Sequence, residues 1–516
     1  MPKLPQPLPF SAPHLIRPEV LLERARAQYH AGDRVRTRAL CQQILRADPV
    51  NTEALNLLGV LSAEAGQFFE AITRFDEALQ IAPDLVETWR NRGLVLSDAG
   101  LFEDALASFD QVVARLPAGE AGHLHRAVTL VRLGRFEDAA RAYDHLLTFH
   151  PTDATLAANR GIPLVWTGRL EEAMASFDLA LSLDPGHASA HVNKGMLLLL
   201  QGDLPGGARL LEWHARPPAL ARFLTRPLWL GDTSLMGKTL LVYQEQGFGD
   251  AIQFCRFVPW AAQAGAKVIL AVGEPLRDLM ASLPGVSRIV TLTEEWPQHD
   301  LRCPLESLPL AFGATLETIP GETPYLRADP ALALAWRNRL ADVPGPRIGL
   351  VWAGAARPGE AEALAIDQRR SMPLAALEPL ALVEGCAFVS LQPGSSAARA
   401  MAPPAGMVLH DHTAELRNFA DTAALIENLD LVISVDTSVA HLAAAMGKPV
   451  WLLNRFDTCW RWLLNRDDSP WYPTLRQFRQ PQPGDWASVT ARVAESLRGF
   501  TASSAGHAGS GSTVHD

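Results

Sequence analysis

The 516-residue chain contains no run of about 20 apolar residues, the length that a helix needs to cross a bilayer. Its first segment, Met1 to Pro18, is rich in proline and has no continuous apolar core, so we expect no signal peptide there. These absences predict a cytoplasmic protein without a transmembrane segment, and they leave peripheral membrane contact open.

Cysteine and clustered positive charge are also scarce. The five cysteines are an odd number without C-x-x-C spacing, which favours reduced thiols over disulfides or a zinc site. The net charge is −10, and the absence of dense Lys/Arg runs argues against a nucleic-acid partner. Because 48% of the residues are apolar, a chain of this length can form two or three domains with sizeable cores.

Proline and glycine are present at a fixed interval of 34 residues in the first part of the chain. The prolines are Pro49, Pro83, Pro117, Pro151 and Pro185, and the glycines are Gly32, Gly66, Gly100, Gly134, Gly168 and Gly202. A period of this length is typical of a solenoid of helix pairs. Glycine can end the first helix of a pair, and proline closes the second because it cannot continue a helix.

Each predicted pair has a small residue on its first helix and a ring on its second. The small residues are Gly59, Gly93, Ala127, Gly161 and Gly195, and the rings are Phe75, Phe109, Tyr143 and Phe177. The pattern resembles the tetratricopeptide repeat, with five or six copies over residues 20–215, and Thr37, Ala127 and Gly207 depart from it. Such solenoids usually bind peptides or partner proteins in a concave groove.

Asparagines occupy one position of several repeats, two residues before the small residue of the first helix. They are Asn91, Asn159 and Asn193, with His125 in the equivalent position. An asparagine ladder is able to hold the backbone of a bound peptide, because each amide both donates and accepts hydrogen bonds. The alternative is that asparagine is simply frequent at this position of the repeat.

After Pro217, Pro218 and Pro227 the pattern changes to short β-type runs that alternate with helices, which predicts parallel sheets. We expect one α/β half over residues 235–340 and another over 345–500. The predicted strands are Thr239–Tyr243, Lys267–Val272 and Arg288–Leu292, then Arg347–Trp352, Ala387–Leu391, Leu431–Val435 and Pro449–Leu453. We expect helices near 250–263 and 275–283, a last helix over Trp486–Leu497, and flexible or disordered ends at 1–19 and 501–516.

Two loops that follow predicted strands carry candidate functional residues. In the first, Gly247 and Gly249 allow a tight turn and Asp250 begins a helix; the third glycine of a dinucleotide fingerprint is missing. In the second, Asp436, Thr437 and Ser438 precede a helix whose free N–H groups and dipole favour an anion. The alternatives are an ordinary helix cap at Asp250 and a capped helix with a half-buried His441.

Together the two loops resemble glycosyltransferase family 9, the family of ADP-heptose:lipopolysaccharide heptosyltransferases. The resemblance covers about 235–500 and depends on GFGD, on VSLQPG (Val389–Gly394) and on SVDTSVAHLAAAMGKP. It implies a GT-B-like module of two Rossmann-like domains after the solenoid. It also implies a nucleotide-diphosphate sugar as substrate, with no cofactor and no metal.

The resemblance also implies roles for individual residues. Asp250 would be the general base that takes the proton of the acceptor hydroxyl. The N–H groups of Thr437 and Ser438 would stabilise the leaving diphosphate, Asp436 would contact sugar hydroxyls, and His441 would lie near the phosphates. Gly249 would border the donor.

One departure concerns a lysine that heptosyltransferases carry after the first strand of the second half. Here the loop from Ala353 to Ser371 has only Arg357, Arg369 and Arg370 as basic residues. Arg370 is the candidate substitute, because a guanidinium binds phosphate bidentately. The alternative is that Arg369 and Arg370 are surface charges at the start of a helix.

Two further segments have two interpretations each. Residues 421–423 border the nucleoside or simply begin a helix. Trp460, Trp462 and Trp471, next to Arg461, stack on a sugar or base or else pack between the halves. The sequence thus predicts an inverting glycosyltransferase whose protein or glycan acceptor is recruited by the repeats. The alternative is a non-catalytic interaction scaffold with a degenerate transferase-like module.

Overall fold

The first unit of the chain consists of paired helices with the predicted spacing. The computed structural model divides into two units, residues 1–152 and residues 153–516. It describes residues 17–354, 361–394 and 402–509. The helices of the first unit are α1 (Pro18–His30), α2 (Arg34–Ala47), α3 (Thr52–Glu64), α4 (Phe68–Ile81), α5 (Val86–Asp98), α6 (Phe102–Arg115), α7 (Glu120–Arg132) and α8 (Phe136–Phe149).

The predicted repeat plan is confirmed in the packing of the pairs that have a glycine opposite a phenylalanine ring. The six repeat glycines all have positive φ, between 72° and 97°, and each follows a first helix. A Cβ placed on Gly59 would lie 2.5 Å from the ring of Phe75, and Gly93 stands in the same relation to Phe109. The small residue is therefore required by the ring that packs against it, and the N-terminal part of the chain is a helical solenoid.

The second unit begins with two more helix pairs of the same kind. They are α9 (Ala154–Trp166), α10 (Leu170–Leu183), α11 (Ala188–Leu200) and α12 (Leu204–Leu211). Helix α11 packs against the short 3₁₀ turn Trp460–Trp462, and α12 packs against a helix of the following α/β region, Leu308–Ala311. These contacts explain why the division between the units falls inside the predicted 20–215 solenoid.

The first α/β half contains a four-stranded parallel sheet with the order β3-β2-β1-β4. Its strands are β1 (Thr239–Tyr243), β2 (Lys267–Val272), β3 (Val286–Thr291) and β4 (Leu301–Pro304). Its helices are α13 (Phe248–Phe254), α14 (Val258–Gln263), α15 (Arg277–Met280), α16 (Leu308–Ala311) and α17 (Pro330–Arg339).

The second α/β half contains a six-stranded parallel sheet with the order β10-β9-β8-β5-β6-β7. Its strands are β5 (Arg347–Val351), β6 (Ala387–Ser390), β7 (Leu409–Asp411), β8 (Leu431–Val435), β9 (Val450–Asn454) and β10 (Leu475–Arg479). Its helices are α18 (Ala361–Arg370), α19 (Glu378–Ala381), α20 (Phe419–Glu427), α21 (Ser438–Ala445) and α22 (Trp486–Gly509). Two parallel sheets in tandem are the predicted Rossmann-like arrangement.

The structure differs from the predicted elements in two respects. The short strands β4, β7 and β10 have no counterpart in the sequence prediction. The last helix continues to Gly509, beyond Leu497, where the sequence prediction ended it, so the predicted tail 501–516 begins inside this helix. Residues 1–16 and 510–516, which belong to the predicted flexible ends, lie outside the described residues. No described helix is long and apolar enough to cross a membrane.

Arg256 connects the two α/β halves in the interior of the second unit. It is 2% exposed, and its guanidinium donates to the carbonyl oxygen of Trp471 at 2.5 Å and to the Tyr325 hydroxyl at 2.8 Å. The same guanidinium lies 4.6 Å from the centre of the Tyr472 ring. A buried charge is stable only when its hydrogen bonds are made, so this contact fixes how the halves meet.

Candidate functional site

Each sheet reverses its strand order once, and ligands of open parallel sheets bind in the crevice at such a point. In the first sheet β1 lies between β2 and β4, so the crevice is bounded by the segment after β1 and the turn after β4. In the second sheet β5 lies between β6 and β8, so residues 352–354 and 436–438 bound the crevice. Both predicted loops therefore lie at the places where the topology allows a site.

The two crevices meet where α13 packs against α21. A Cβ placed on Gly249 would lie 3.1 Å from Cδ2 of His441 and 3.6 Å from Cα of Ser438. A side chain at this position would be crowded against the His441 ring, so glycine favours this approach. The GFGD and SVDTS segments, predicted separately, thus border one site.

Asp250 combines the two interpretations that the sequence left open. It is the third residue of α13, and its Oδ2 accepts a hydrogen bond from the N–H of Gly247 at 3.1 Å, which caps the helix. Its Oδ1 forms an ion pair with Nη2 of Arg461 from the second half. The side chain remains 20% exposed. Asp250 is therefore a helix cap that also faces the site.

Arg461 belongs to the 3₁₀ turn Trp460–Trp462, and sequence reasoning had assigned it no charge partner. Its guanidinium lies 4.4 Å from the centre of the Trp460 ring, and Nη1 lies 3.1 Å from Sγ of Cys459. Burial alone would lower the pKa of Arg461, but the charge of Asp250, with that of Asp436 nearby, outweighs burial and raises it. Arg461 is thus a permanent cation inside the site.

The N-terminus of α21 is open toward the site. Thr437 occupies the N-cap position, but its side chain makes no capping hydrogen bond and its Oγ1 lies 3.0 Å from Oγ of Ser434. The first-turn N–H groups are therefore not capped by the Thr437 side chain, as an anion site requires. Asp436, 16% exposed at its side chain, precedes this turn.

His441 is buried rather than half-buried, with 4% of its surface exposed. Its Nδ1 lies 2.8 Å from the Tyr472 hydroxyl, its ring stacks on Trp462, and its Nε2 lies 3.8 Å from Oδ1 of Asp436. Burial is the main cause that lowers the pKa of His441 to about 4. At neutral pH the imidazole is uncharged.

Arg370 lies beside the second loop and supports its backbone. Its Nη1 donates to the carbonyl oxygen of Asp436 at 3.0 Å, and its Nε and Nη2 donate to Oδ1 of Asp367 at 3.0 and 2.9 Å. Arg369 donates to Oδ2 of Asp457 at 2.9 Å. Both arginines end α18 and are paired, so the alternative of surface charges leading a helix is wrong. Arg357 lies outside the described residues.

The VSLQPG segment fixes the end of β5. The side-chain carbonyl of Gln392 accepts hydrogen bonds from the N–H groups of Trp352 and Ala353 at 3.1 and 2.8 Å. Gln392 is 2% exposed. The buried part of the motif therefore holds the strand end that borders the crevice, while Pro393 and Gly394 are exposed.

Residues 421–423 and the tryptophan cluster have places in the packing of the fold, with Trp460 only partly buried, and their predicted contacts with a ligand stay predictions. Residues 421–423 are in the first turns of α20, which Asn418 caps by accepting from the N–H of Asp421 at 3.0 Å. Trp462 and Trp471 are fully buried. They pack between elements, and neither is exposed for stacking on a ligand.

Glu306 was missed by the sequence analysis although it lies in the crevice between β1 and β4. Its Oε1 accepts from the N–H of Gln246 at 3.1 Å, and its buried Oε2 has no hydrogen-bond partner among the described residues. Burial, and then the charge of Asp250, raise the pKa of Glu306 to about 8. Glu306 therefore holds its proton at neutral pH.

The repeat asparagines lie on first helices, as predicted, and all three are half-buried. Nδ2 of Asn91 donates to Oδ1 of Asn56 at 3.3 Å in the first unit. Asn159 and Asn193 lie on α9 and α11 of the second unit. The structure contains no peptide, so their role in a groove stays a prediction.

Models of known families match segments in both parts of the chain. Tetratricopeptide-repeat models match residues 22–85, 90–154 and 167–187. The model of glycosyltransferase family 9 (heptosyltransferase) matches residues 414–453, a stretch that includes the second loop and not the first. The chain therefore carries tetratricopeptide repeats and a segment of family 9 type, which supports a glycosyltransferase-like function.

Individual relatives match only part of the chain. The protein FlbA of Caulobacter vibrioides is 28% identical over 298 residues, which are 53% of this chain and 48% of FlbA. The chain thus spans about half the length of this curated relative. A solved tetratricopeptide repeat protein from Parabacteroides merdae is 19% identical, with a TM-score of 0.35 over 39% of this chain and 81% of its own. MamA from Desulfovibrio magneticus is 17% identical, with a TM-score of 0.29 over 31% and 90%.

Proposed function

We propose that the second unit is an inverting, metal-independent glycosyltransferase of the GT-B type that uses a nucleotide-diphosphate sugar. The observation that carries the proposal is the contact of Gly249 with His441 and Ser438, which joins two crevices at one site. One crevice supplies a carboxylate and the other a helix N-terminus. An attacking hydroxyl and a leaving diphosphate need these two kinds of group.

On the donor side the diphosphate lies at the N-terminus of α21. The N–H groups of Thr437 and Ser438 and the helix dipole stabilise the charge that grows on the leaving phosphate oxygen. Arg370 holds the loop in place through the carbonyl oxygen of Asp436. His441 is neutral at pH 7, so it adds a polar contact without a second positive charge.

On the acceptor side Asp250 is the general base. The acceptor oxygen forms a bond to C1 of the sugar while the bond from C1 to the phosphate oxygen breaks, and that oxygen takes the electron pair. The hydroxyl proton passes to the carboxylate of Asp250, and the configuration at C1 inverts. The reaction balances without a co-reactant.

The repeats form the part that recruits the acceptor. Tetratricopeptide solenoids usually bind peptides, and Asn91, Asn159 and Asn193 offer amides for a peptide backbone. The acceptor is then a protein, or a glycan carried by one. The second candidate, an interaction scaffold, is favoured by the missing lysine of the family 9 pattern.

Nucleotide release from a panel of sugar nucleotides tests the proposal, with the wild type compared with Asp250→Ala. We expect release with one donor, and a loss of about 100-fold to 10,000-fold in the variant. Asp329→Ala is the matched control, because Asp329 also caps a helix, α17, but lies outside the site. If no donor binds and no nucleotide is released, the interaction scaffold is favoured.

A second arm of the same experiment tests the repeats, with cell lysate as acceptor. A chain that starts at Asp153 keeps α9–α12, which belong to the unit of the α/β halves. We expect it to retain slow donor hydrolysis and to lose transfer to protein. Unchanged transfer would show that the first unit does not recruit the acceptor.

A further inference from the structure

The oxygen of the candidate base that does not cap its helix is bound by an arginine of the opposite half. Oδ2 of Asp250 accepts from Gly247, and Oδ1 is bound by Arg461. The side chains of the two ion-pair partners are 20% and 17% exposed, so the pair is largely shielded from water. If Asp250 took a proton in this state, Arg461 would be left as a buried cation without its partner, which is strongly unfavourable. The observed pair therefore describes an inactive state of the base.

Arg461 has few other strong partners that would hold it there. One side of the guanidinium lies against the Trp460 ring, and within the described residues Nη1 contacts only the weak acceptor Sγ of Cys459. Arg370, in contrast, is fixed by three hydrogen bonds to Asp367 and Asp436. Of these two arginines, Arg461 has more freedom to change partners.

A diphosphate in the site would offer Arg461 a better partner. It carries more charge than one carboxylate, and a planar guanidinium binds phosphate oxygens bidentately. Resting on the proposed function, we propose that Arg461 leaves Asp250 for the diphosphate of the arriving donor. Donor binding thereby frees the base, and Arg461 takes the place of the lysine that the chain lacks. Without donor, the base stays masked.

Binding of inorganic pyrophosphate to the full-length chain, measured by titration calorimetry, tests this exchange without knowledge of the sugar or nucleoside. We expect Arg461→Gln to weaken binding about tenfold or more, because a charge-assisted contact is lost. We expect Asp250→Asn to tighten binding severalfold, because Arg461 no longer has a competing partner. In the double variant the effect of Asp250→Asn should disappear.

The control variant is Arg466→Gln, which removes a nearby arginine paired with Asp468 at the surface, and it should leave binding unchanged. If Arg461→Gln does not fold, Arg461→Lys takes its place. It keeps the charge without the bidentate geometry, so we expect its affinity for pyrophosphate to be intermediate. If Asp250→Asn tightened pyrophosphate binding equally with and without Arg461, the cause would be lost repulsion between Asp250 and pyrophosphate. That result would overturn the exchange. Normal pyrophosphate binding by Arg461→Gln would also overturn it while leaving the proposed function intact. A failure of the proposed function is distinct, since then neither pyrophosphate nor any sugar nucleotide binds.

Discussion

The two α/β halves share one architecture, yet the carboxyl edges of their sheets carry different chemistry. In the first sheet β1 lies between β2 and β4, and in the second sheet β5 lies in the same way between β6 and β8. The first edge carries two carboxyl groups, those of Asp250 and Glu306. The second edge carries the N-terminus of α21 and the neutral imidazole of His441, together with the carboxyl group of Asp436.

In the proposed reaction this difference assigns the proton acceptor to the first edge and the leaving diphosphate to the N-terminus of α21 on the second edge. The two edges meet at Gly249, so both groups border one site. Arg461 is the ion-pair partner of the proposed proton acceptor at that site.

The largest effect is expected from making the second edge resemble the first. Ser438→Asp places a carboxylate at the N-terminus of α21, where it stabilises the helix dipole by about 0.5 kcal/mol. The same charge should reduce donor-dependent nucleotide release about 100-fold, because it repels the diphosphate. Thermal unfolding and initial rates measure the two effects separately.

Ser438→Asn is the matched control, with a similar shape and no charge. We expect its rate to fall less than that of the aspartate variant. If both variants lost the same activity, bulk and not charge would matter at this edge, and an anion site at α21 would be contradicted.

A smaller effect is expected from Glu306, the protonated acid of the first edge. Its folded pKa is raised to about 8, so the folded chain holds a proton that the unfolded chain releases near the ordinary pKa of 4.5. Its stabilising contribution is thus complete below the ordinary pKa and is lost as the pH rises toward 8. Glu306→Gln keeps an oxygen for the N–H of Gln246 and cannot titrate.

Urea unfolding of the wild type and of Glu306→Gln at pH 5 and pH 6.5 measures this contribution. We expect the stability of Glu306→Gln relative to the wild type to increase by about 2 kcal/mol over this range. Glu322→Gln, which changes an exposed glutamate, should show no such trend. A constant difference at both pH values would mean that Glu306 is already ionised in the folded chain.

Local features of the sequence predicted the solenoid and the two loops. The contact of Gly59 with Phe75 follows from spacing within one helix pair. GFGD begins shortly after β1, and SVDTS continues from the end of β8 into α21. Such patterns are visible because the residues that determine them are close in the chain.

The residues that were missed depend on distant contacts. Strand β4, with the sequence LRCP, contains arginine and proline and becomes a strand only by pairing with β1, so Glu306 after it gave no signal. The partner of Arg461 is 211 positions away. The unit boundary at residue 152 likewise depends on α11 packing against Trp460–Trp462, which no 34-residue period encodes.

The smallest effect is expected at the contact between the two edges. Gly249→Ala brings a methyl group to 3.1 Å from Cδ2 of His441, closer than an ordinary carbon contact. Alanine favours the helix by about 0.8 kcal/mol, and the crowding costs a similar amount, so the free energy of unfolding should hardly change. Nucleotide release should nevertheless fall by up to about tenfold, because misplacing groups by a fraction of an ångström weakens transition-state contacts. Gly499→Ala, in α22 with open space around it, is the control and should keep full activity. Wild-type activity in Gly249→Ala would mean that the two edges need not approach this closely for the reaction.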